Sequence, residues 1–548
     1  MKSMETLLKK FCFMLNDKHF MKGISTLIGA ACLNFLVGSI FSLCTLSIYE
    51  ISYIKAKGGL INIDHLTFYY PVEIFFQCIS AFASGLIYKE MGLHITNLIG
   101  VTFLSLGYFI MFISTSLGLD LLSMILGGIG AGILFYPSTT NALCWFKKNP
   151  GLIVGTMETM ISFGSFFFSF IGEMIININE IPSNDDDNLY QFDIAKRIKF
   201  YLIIQIIILI STYALSYVLM YEKEDDIDIL TIIDEDFTLK NKENEKNETS
   251  TENSLNKEKK GESKQKISKE ENDKSLQISI NESEDNQGEN NKKENEVKET
   301  KNEKANENID VKEDKKEPLL DKSNANDSSI NYSGKKKKDI SQMLKLALKS
   351  KRLMLFSAIV ILQAPVSNMA FALYREIGEY KKIDTKYLQL IGSLYFIFEC
   401  LSSFVFGVLC DYFQLKNLWF FINGVGTIIG YTYCFTFKNG LIFFLVQNLL
   451  SFSAGGYYPV KDCYLMKVYG KDLYIELSGY VSFLVAFGVN LITPISFFVK
   501  SIMDDKDIAY WILFIAFASL NLIGLILNFF LKETPIDLEQ CIKEQNIK

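Results

Sequence analysis

The sequence predicts an all-α integral membrane protein that crosses the bilayer twelve times, in two six-helix bundles joined by a long disordered loop. Three observations predict it. Runs of 20 or more residues with few or no charges recur from Gly23 to Met220 and again from Leu353 to Leu531. Each is long enough to cross a hydrocarbon core of ~30 Å. The charged residues, 21% of the chain, are segregated between and around these runs, and the two sets of runs share landmarks at one register.

Six spans are expected near 23–48, 66–88, 96–116, 121–146, 151–176 and 198–220, and six more near 353–374, 386–410, 417–437, 440–466, 473–499 and 508–531. The segment 1–22 carries five lysines, and no small-residue cleavage site follows the first run. The first span is therefore expected to stay as a helix, with both chain ends, 1–22 and 532–548, in the cytoplasm. From 221 to 338 the composition turns to Asn, Lys, Glu, Asp and Ser with few aromatic residues. Such a stretch buries too little apolar surface to offset the entropy of ordering, so it reads as a disordered cytoplasmic tether. Its glycosylation acceptor patterns at Asn247 and Asn331 would stay bare on that side. Ile340, Met343, Leu344, Ala347 and Leu348 then recur at helical spacing beside Lys345, Lys349 and Lys351, which predicts an amphipathic basic helix at a lipid surface. The C-terminal bundle completes 339–531.

The net charge of −7 arises in the soluble parts and points to no nucleic-acid partner. Cys32, Cys44, Cys78, Cys144, Cys400, Cys410 and Cys434 stand singly in apolar runs without CxxC spacing, as free thiols do. With no GxxxxGK[ST] loop, zinc spacing or nucleophile elbow, neither a metal, a cofactor nor enzymatic catalysis is expected.

The internal repeat is the main architectural signal. Gly85 closes the second span and Gly407 the eighth, an offset of 322 residues, and Tyr136-Pro137 and Tyr458-Pro459 keep the same offset. Two related halves of six spans imply a site near the midplane between them. Glycines such as Gly107, Gly127, Gly130 and Gly430 read as helix-packing devices.

Gly407-x-x-x-Asp411-Tyr412, followed by Lys416, resembles the cytoplasmic loop signature of the major facilitator superfamily. The stretch Gly130 to Gly155, with Trp145-Phe146 before a basic turn, is similar to the fourth and fifth helices of its oxalate:formate antiporter and monocarboxylate transporter branches. The resemblance implies a carrier of small organic solutes. Gly85, Lys89 and Gly92 stand where the first half repeats the signature, with Lys89-Glu90 departing from the family's acidic-then-basic order, and Glu476 is the candidate partner of Lys89. Asn149 and Pro150 are expected to cap the fifth span, with Asp411 near that helix's positive end. Arg375 and Glu376 end the seventh span on the outer side and are candidates for an outer gate.

Charges within spans are costly and mark functional candidates: Glu158, Glu399, Lys461 and Asp462. Glu399 lies near mid-depth with no cation on neighbouring turns, and its repeat-related position is Gln77. Such a carboxyl takes up a proton readily and suits a proton-coupling site. Monocarboxylate transporters resemble this chain in carrying an acid eight residues before the loop glycine, but Ser403 stands where they have an arginine, and their first-helix lysine motif is not recognisable. The eleventh-span lysine of the oxalate:formate branch is also missing. Glu158, Lys461 and Asp462 share a depth, so Glu158 could meet Lys461 between the bundles, or Lys461 could pair within its own bundle. Asn34, Asn368, Asn490, Tyr136 and Tyr458 are further candidates for the cavity wall.

These residues lead to secondary active transport of a small organic solute, with protons and the lipid bilayer as partners and a monomer as the expected unit. A monocarboxylate-like anion leads on resemblance, an amino acid follows, and a sensor or scaffold using the 221–338 loop is the rival from another class. The lack of a long targeting presequence favours the cell surface or the secretory pathway.

Overall fold

In a hydrocarbon environment every backbone polar group must be satisfied within the chain, which leaves helices or closed barrels as spanning elements. The computed structural model describes residues 18–59, 61, 65–146, 148–179, 181, 189–222 and 341–537, and all regular structure among them is helical. The expected tether, with Asn247 and Asn331, lies outside the described residues.

The first half contains α1 (Lys18–Ala56), α2 (Leu66–Ile113), α3 (Leu117–Trp145), α4 (Pro150–Ile176), the short α5 (Phe192–Ala195) and α6 (Arg197–Leu219). The second contains α7 (Lys351–Tyr380), α8 (Thr385–Tyr412), α9 (Leu415–Thr432), α10 (Gly440–Tyr469), α11 (Tyr474–Asn490), α12 (Ile492–Ile502) and α13 (Lys506–Asn528). Eleven helical stretches among the described residues are long and apolar enough to cross a membrane. One of them is two crossings. A straight 48-residue α2 would run about 72 Å, more than twice the hydrocarbon thickness. Gly92 breaks it with φ 76° and ψ 175°, a conformation that glycine tolerates at little cost, so 66–91 and 93–113 cross separately.

The eleventh expected span, 473–499, differs from expectation in being interrupted between α11 and α12 at Leu491. Pro494 accounts for the break: its ring excludes the helical position of the carbonyl four residues earlier, at Asn490, where α11 ends. The segment 341–348 is helical, and its apolar side, with Met343, Leu344 and the buried Ala347, packs against the protein core.

Large apolar side chains face outward, among them Phe200, Ile207, Val218, Ile428 and Phe497, each more than half exposed. Acids and amides lie inside: Glu50, Glu73, Asp120, Asp462, Gln205 and Gln447 are completely buried. This inside-out distribution is that of a surface bathed in lipid, where an apolar exterior carries no cost.

The halves meet chiefly where α4 crosses α8 and where α2 crosses α11. Both crossings depend on glycine. A Cβ on Gly155 would lie 2.6 Å from Gly407 Cα, and one on Gly151 would lie 2.5 Å from Gly407 O. At the repeat-related crossing a Cβ on Gly479 would come within 2.7 Å of Phe82 Cα, and Gly85 packs against Ile475. Both crossings lie on the face where α1 begins, here the terminal face; the face where α1 ends is the opposite face.

Gly155→Leu should therefore destabilise by about 1–3 kcal/mol through overpacking, whereas Gly424→Leu, at a site with nothing within 4 Å, should stay within about 0.5 kcal/mol of the parent. Thermal unfolding of the detergent-solubilised protein checks this, and equal effects at the two sites would contradict the account of the crossing.

Candidate functional site

A cavity of about 140 Å3 lies between the halves. Its wall takes Tyr70 and Gln77 from α2, Tyr136 from α3, Glu158 and Ser162 from α4, Asn368 from α7, Glu399 from α8, Tyr458 and Lys461 from α10, and Ser482 from α11. The rest is largely aromatic and aliphatic, including Phe41, Phe135, Phe371 and Tyr395. Tyr136 and Tyr458, related by the repeat, both reach the wall, as do Gln77 and Glu399.

Lys461 is buried, and its three N–H donors are distributed over both halves. Nζ donates to Tyr136 Oη at 3.1 Å and to Ser482 Oγ at 3.1 Å, and it lies 3.4 Å from Asp462 Oδ1. Asp462 is turned away from the cavity, where Oδ2 accepts from Tyr474 at 3.0 Å and Oδ1 from Ser478 at 3.0 Å. Consecutive helical residues point about 100° apart, so one side chain can line the wall while the other braces it from behind.

Lys461 therefore pairs within its own half, and among the described residues Glu158 forms no ion pair with it. Glu158 still lines the same cavity, with Lys461, Asp462 and Glu399 as its charged neighbours. Glu399 is half-buried beside Ser162, Tyr395 and Tyr458.

Four expected site residues lie off the cavity. Ser403 donates to Gly455 O at 2.9 Å and joins α8 to α10. Asn34 donates to Ala30 O at 2.9 Å and Ser138 Oγ at 3.1 Å inside the first half. Asn490 donates to Ala486 O at 2.8 Å, and Asp462 is the brace described above. Both amides donate to carbonyls four residues back on their own helices. Asn368 also donates to its own helix, at Ala364 O (2.6 Å), but its Oδ1 accepts from Tyr70 Oη of the other half at 2.5 Å.

At the terminal face Asp411 accepts from Gly151 N and Leu152 N, each at 2.9 Å, across the α4/α8 crossing. The expected Asn149 cap is absent, because that side chain makes no capping bond and the carboxylate from the other half takes the free N–H groups. Lys89 pairs with Glu476 across the α2/α11 crossing. Lys416 differs from the expected gating role: its Nζ donates to Phe529 O at 2.6 Å, which ties α9 to the end of α13 within one half. Near the opposite face Arg375 Nη2 donates to Tyr190 Oη at 3.0 Å, joining the two halves there.

Sequence reasoning missed several residues. Tyr70 adjoins Pro71 at the start of a span and reads as an interfacial aromatic. Glu50, Glu73, Asp120 and Glu173 all lie within spans of the first half. The rule that marked Glu399 marks them too: an ionisable group inside an apolar run.

The family model described as Major Facilitator Superfamily matches residues 353–544, in the second half. No curated protein matches the chain. Among solved structures, the proton:xylose symporter XylE bound to 6-bromo-6-deoxy-D-glucose is similar with a TM-score of 0.53 at 11% identity, covering 94% of this chain and 96% of that one. The E. coli fucose:proton symporter FucP is similar with a TM-score of 0.52 at 13% identity, covering 94% and 100%. The human organic anion transporter MFSD10 gives 0.54 at 11% identity, covering 94% and 100%. The shared property is the fold: this chain has the multi-pass membrane fold of major facilitator superfamily transporters.

Removing one member of the Lys461/Asp462 pair leaves a buried charge uncompensated, at a cost of about 3–5 kcal/mol. Lys461→Met and Asp462→Asn should each lower the thermal midpoint, and the double variant should recover most of the loss. Losses that simply add would contradict the pairing.

Proposed function

We propose that this chain belongs to the major facilitator superfamily and is a secondary active transporter that moves a small organic solute by alternating access, coupled to protons. The observation that carries the reading is a cavity between two repeat-related halves whose wall holds, among the described residues, one lysine, Lys461, and two carboxyls, Glu158 and Glu399. Intramembrane charge is retained where it is used. A soluble anion loses its hydration on entering such a cavity and regains hydrogen bonds from Lys461, Tyr136 and Ser482, which already converge.

The leading substrate class is a monocarboxylate-like organic anion bound at Lys461, with Glu399 as the proton carrier. A proton on Glu399 offsets the charge that the anion brings, so the loaded carrier reorients with the same net charge as the empty one. Glu158 tunes Lys461 from the facing half. The fold's use by proton:sugar symporters and by an organic anion transporter supports the general mechanism. A second reading, an amino acid, draws on the same wall: two carboxyls and one lysine match a zwitterion, with Glu399 taking the amine.

Uptake by proteoliposomes of labelled lactate, pyruvate and an amino-acid mixture, with and without a proton gradient, tests the proposal. The expected result is lactate or pyruvate uptake driven by the gradient. Glu399→Gln should lose the response to the gradient but keep solute exchange, and Lys461→Met should lower uptake about tenfold or more, as befits a lost charge-assisted hydrogen bond. Uptake of amino acids alone would replace the anion reading with the second one, and no uptake of either class would overturn both.

A further inference from the structure

A second, smaller cavity of about 40 Å3 lies toward the opposite face, between α1, the start of α2 and the end of α7. Tyr70 and Phe371 line both cavities. Their rings pack edge to face with centroids 5.3 Å apart, and Tyr70 Oη donates to Asn368 Oδ1 at 2.5 Å. One aromatic pair and one hydrogen bond, contributed by both halves, thus divide the two chambers.

The wall of the smaller chamber contains Arg375, only 8% exposed. A guanidinium has five N–H donors in a planar fork suited to a carboxylate. Nη2 reaches Tyr190, but Nε is buried without an acceptor. Two of the nearby acids are otherwise engaged. Glu376 accepts from Lys500 at 2.7 and 2.9 Å and from Tyr510 at 2.9 Å, and Glu173 accepts from Tyr49 at 2.6 Å. Glu379, one turn further along α7, feels the Arg375 charge, and its Oε1 is buried without a hydrogen-bond donor. Among the described residues none of the three forms an ion pair with Arg375. A buried donor without an acceptor is costly unless something supplies one.

We propose that Arg375 is a docking site for the carboxylate of a solute arriving from the opposite face, ahead of a gate formed by Tyr70, Phe371 and Asn368. This rests on the organic-anion reading. The carboxylate satisfies Nε and the remaining fork, and the solute passes to Lys461 when the Tyr70–Asn368 hydrogen bond opens. The chamber is a waiting site, and Lys461 belongs to the central one.

Cys44, which lines the smaller chamber, is a native probe that needs no transport. In full-length protein with the other cysteines replaced, Cys44 is treated with a methanethiosulfonate bearing either a sulfonate or a trimethylammonium group. The sulfonate reagent should react at least about fivefold faster, by electrostatic attraction to Arg375. Lactate should slow it relative to chloride at equal ionic strength. Arg375→Gln should abolish both effects, and Arg375→Lys should keep part of them. Equal rates for the two reagents, a preference that survives Arg375→Gln, or no reaction at all would overturn the docking site. Should Arg375→Gln fail to fold, Ala372→Cys in a Cys44→Ser background with Arg375 intact must show the same charge preference and lactate protection, or the proposal falls. Lactate uptake without charge preference at Cys44 would remove the docking site and leave the transport reading standing. Charge preference and protection without carboxylate uptake would support the docking site and count against that reading.

Discussion

A carboxylate fastens the larger of the two crossings that close the terminal face. Asp411, at the end of α8, accepts two backbone N–H groups from the first turn of α4 in the other half, each at 2.9 Å. A helix N-terminus presents unpaired donors and partial positive charge, and an ionised acceptor there makes hydrogen bonds roughly twice as strong as neutral ones. The contact requires the backbones to approach within the reach of a short side chain. That is why Gly151, Gly155 and Gly407 occupy the crossing, where a Cβ on any of them would meet backbone atoms of the other helix. The repeat-related crossing solves the same problem differently, through Gly85, Gly479 and the Lys89–Glu476 pair. A few hydrogen bonds and close glycine contacts thus hold the two halves together at one end.

The cavity enclosed by this closure follows a second constraint: every buried charge must have a partner or a proton. Lys461 meets the requirement with Asp462 behind it and with Tyr136 and Ser482 in front, which leaves its charge available to the cavity. The first half carries a comparable arrangement away from the cavity, where Lys199 pairs with Glu50 and donates to Met111 O at 2.6 Å, and Tyr69 donates to Asp120 at 2.9 Å. That group joins α1, α2, α3 and α6 within the first half. Near the opposite face the halves meet through side chains, Arg375 with Tyr190 and Tyr70 with Asn368, and among the described residues no glycine crossing joins them there. Side-chain contacts separate with less rearrangement than interlocked backbones, so the two faces are closed by different means.

The spans were legible because a bilayer imposes one length and one polarity on whatever crosses it. Even the break near Gly92 followed from the charges of Lys89 and Glu90, which separate two apolar runs. The break at Leu491 was overlooked although Pro494 carried its signal. Depth along a helix could be read too: it put Glu158, Lys461 and Asp462 at one level and Glu399 near the middle of its span. Azimuth was harder: Lys461 and Asp462 are neighbours in sequence yet only Lys461 lines the cavity, Asn34 and Ser403 turn toward helix–helix contacts, and Asn490 bonds its own helix. Hydropathy does not tell a polar side chain that lines a cavity from one that fastens two helices. The contact of Asp411 with α4 was foreseeable from the loop pattern, whereas the failure of Asn149 to cap the same helix depended on geometry between the halves.

In the proposed alternating access, the terminal face opens when Asp411 lets go. The most direct measurement is the distance between nitroxide labels at Met91→Cys and Tyr412→Cys, one on each half at that face, by pulsed electron paramagnetic resonance in a background without other cysteines. The account predicts two distance populations in lipid, with Asp411→Asn shifting weight to the longer. A single population indifferent to Asp411→Asn would contradict it.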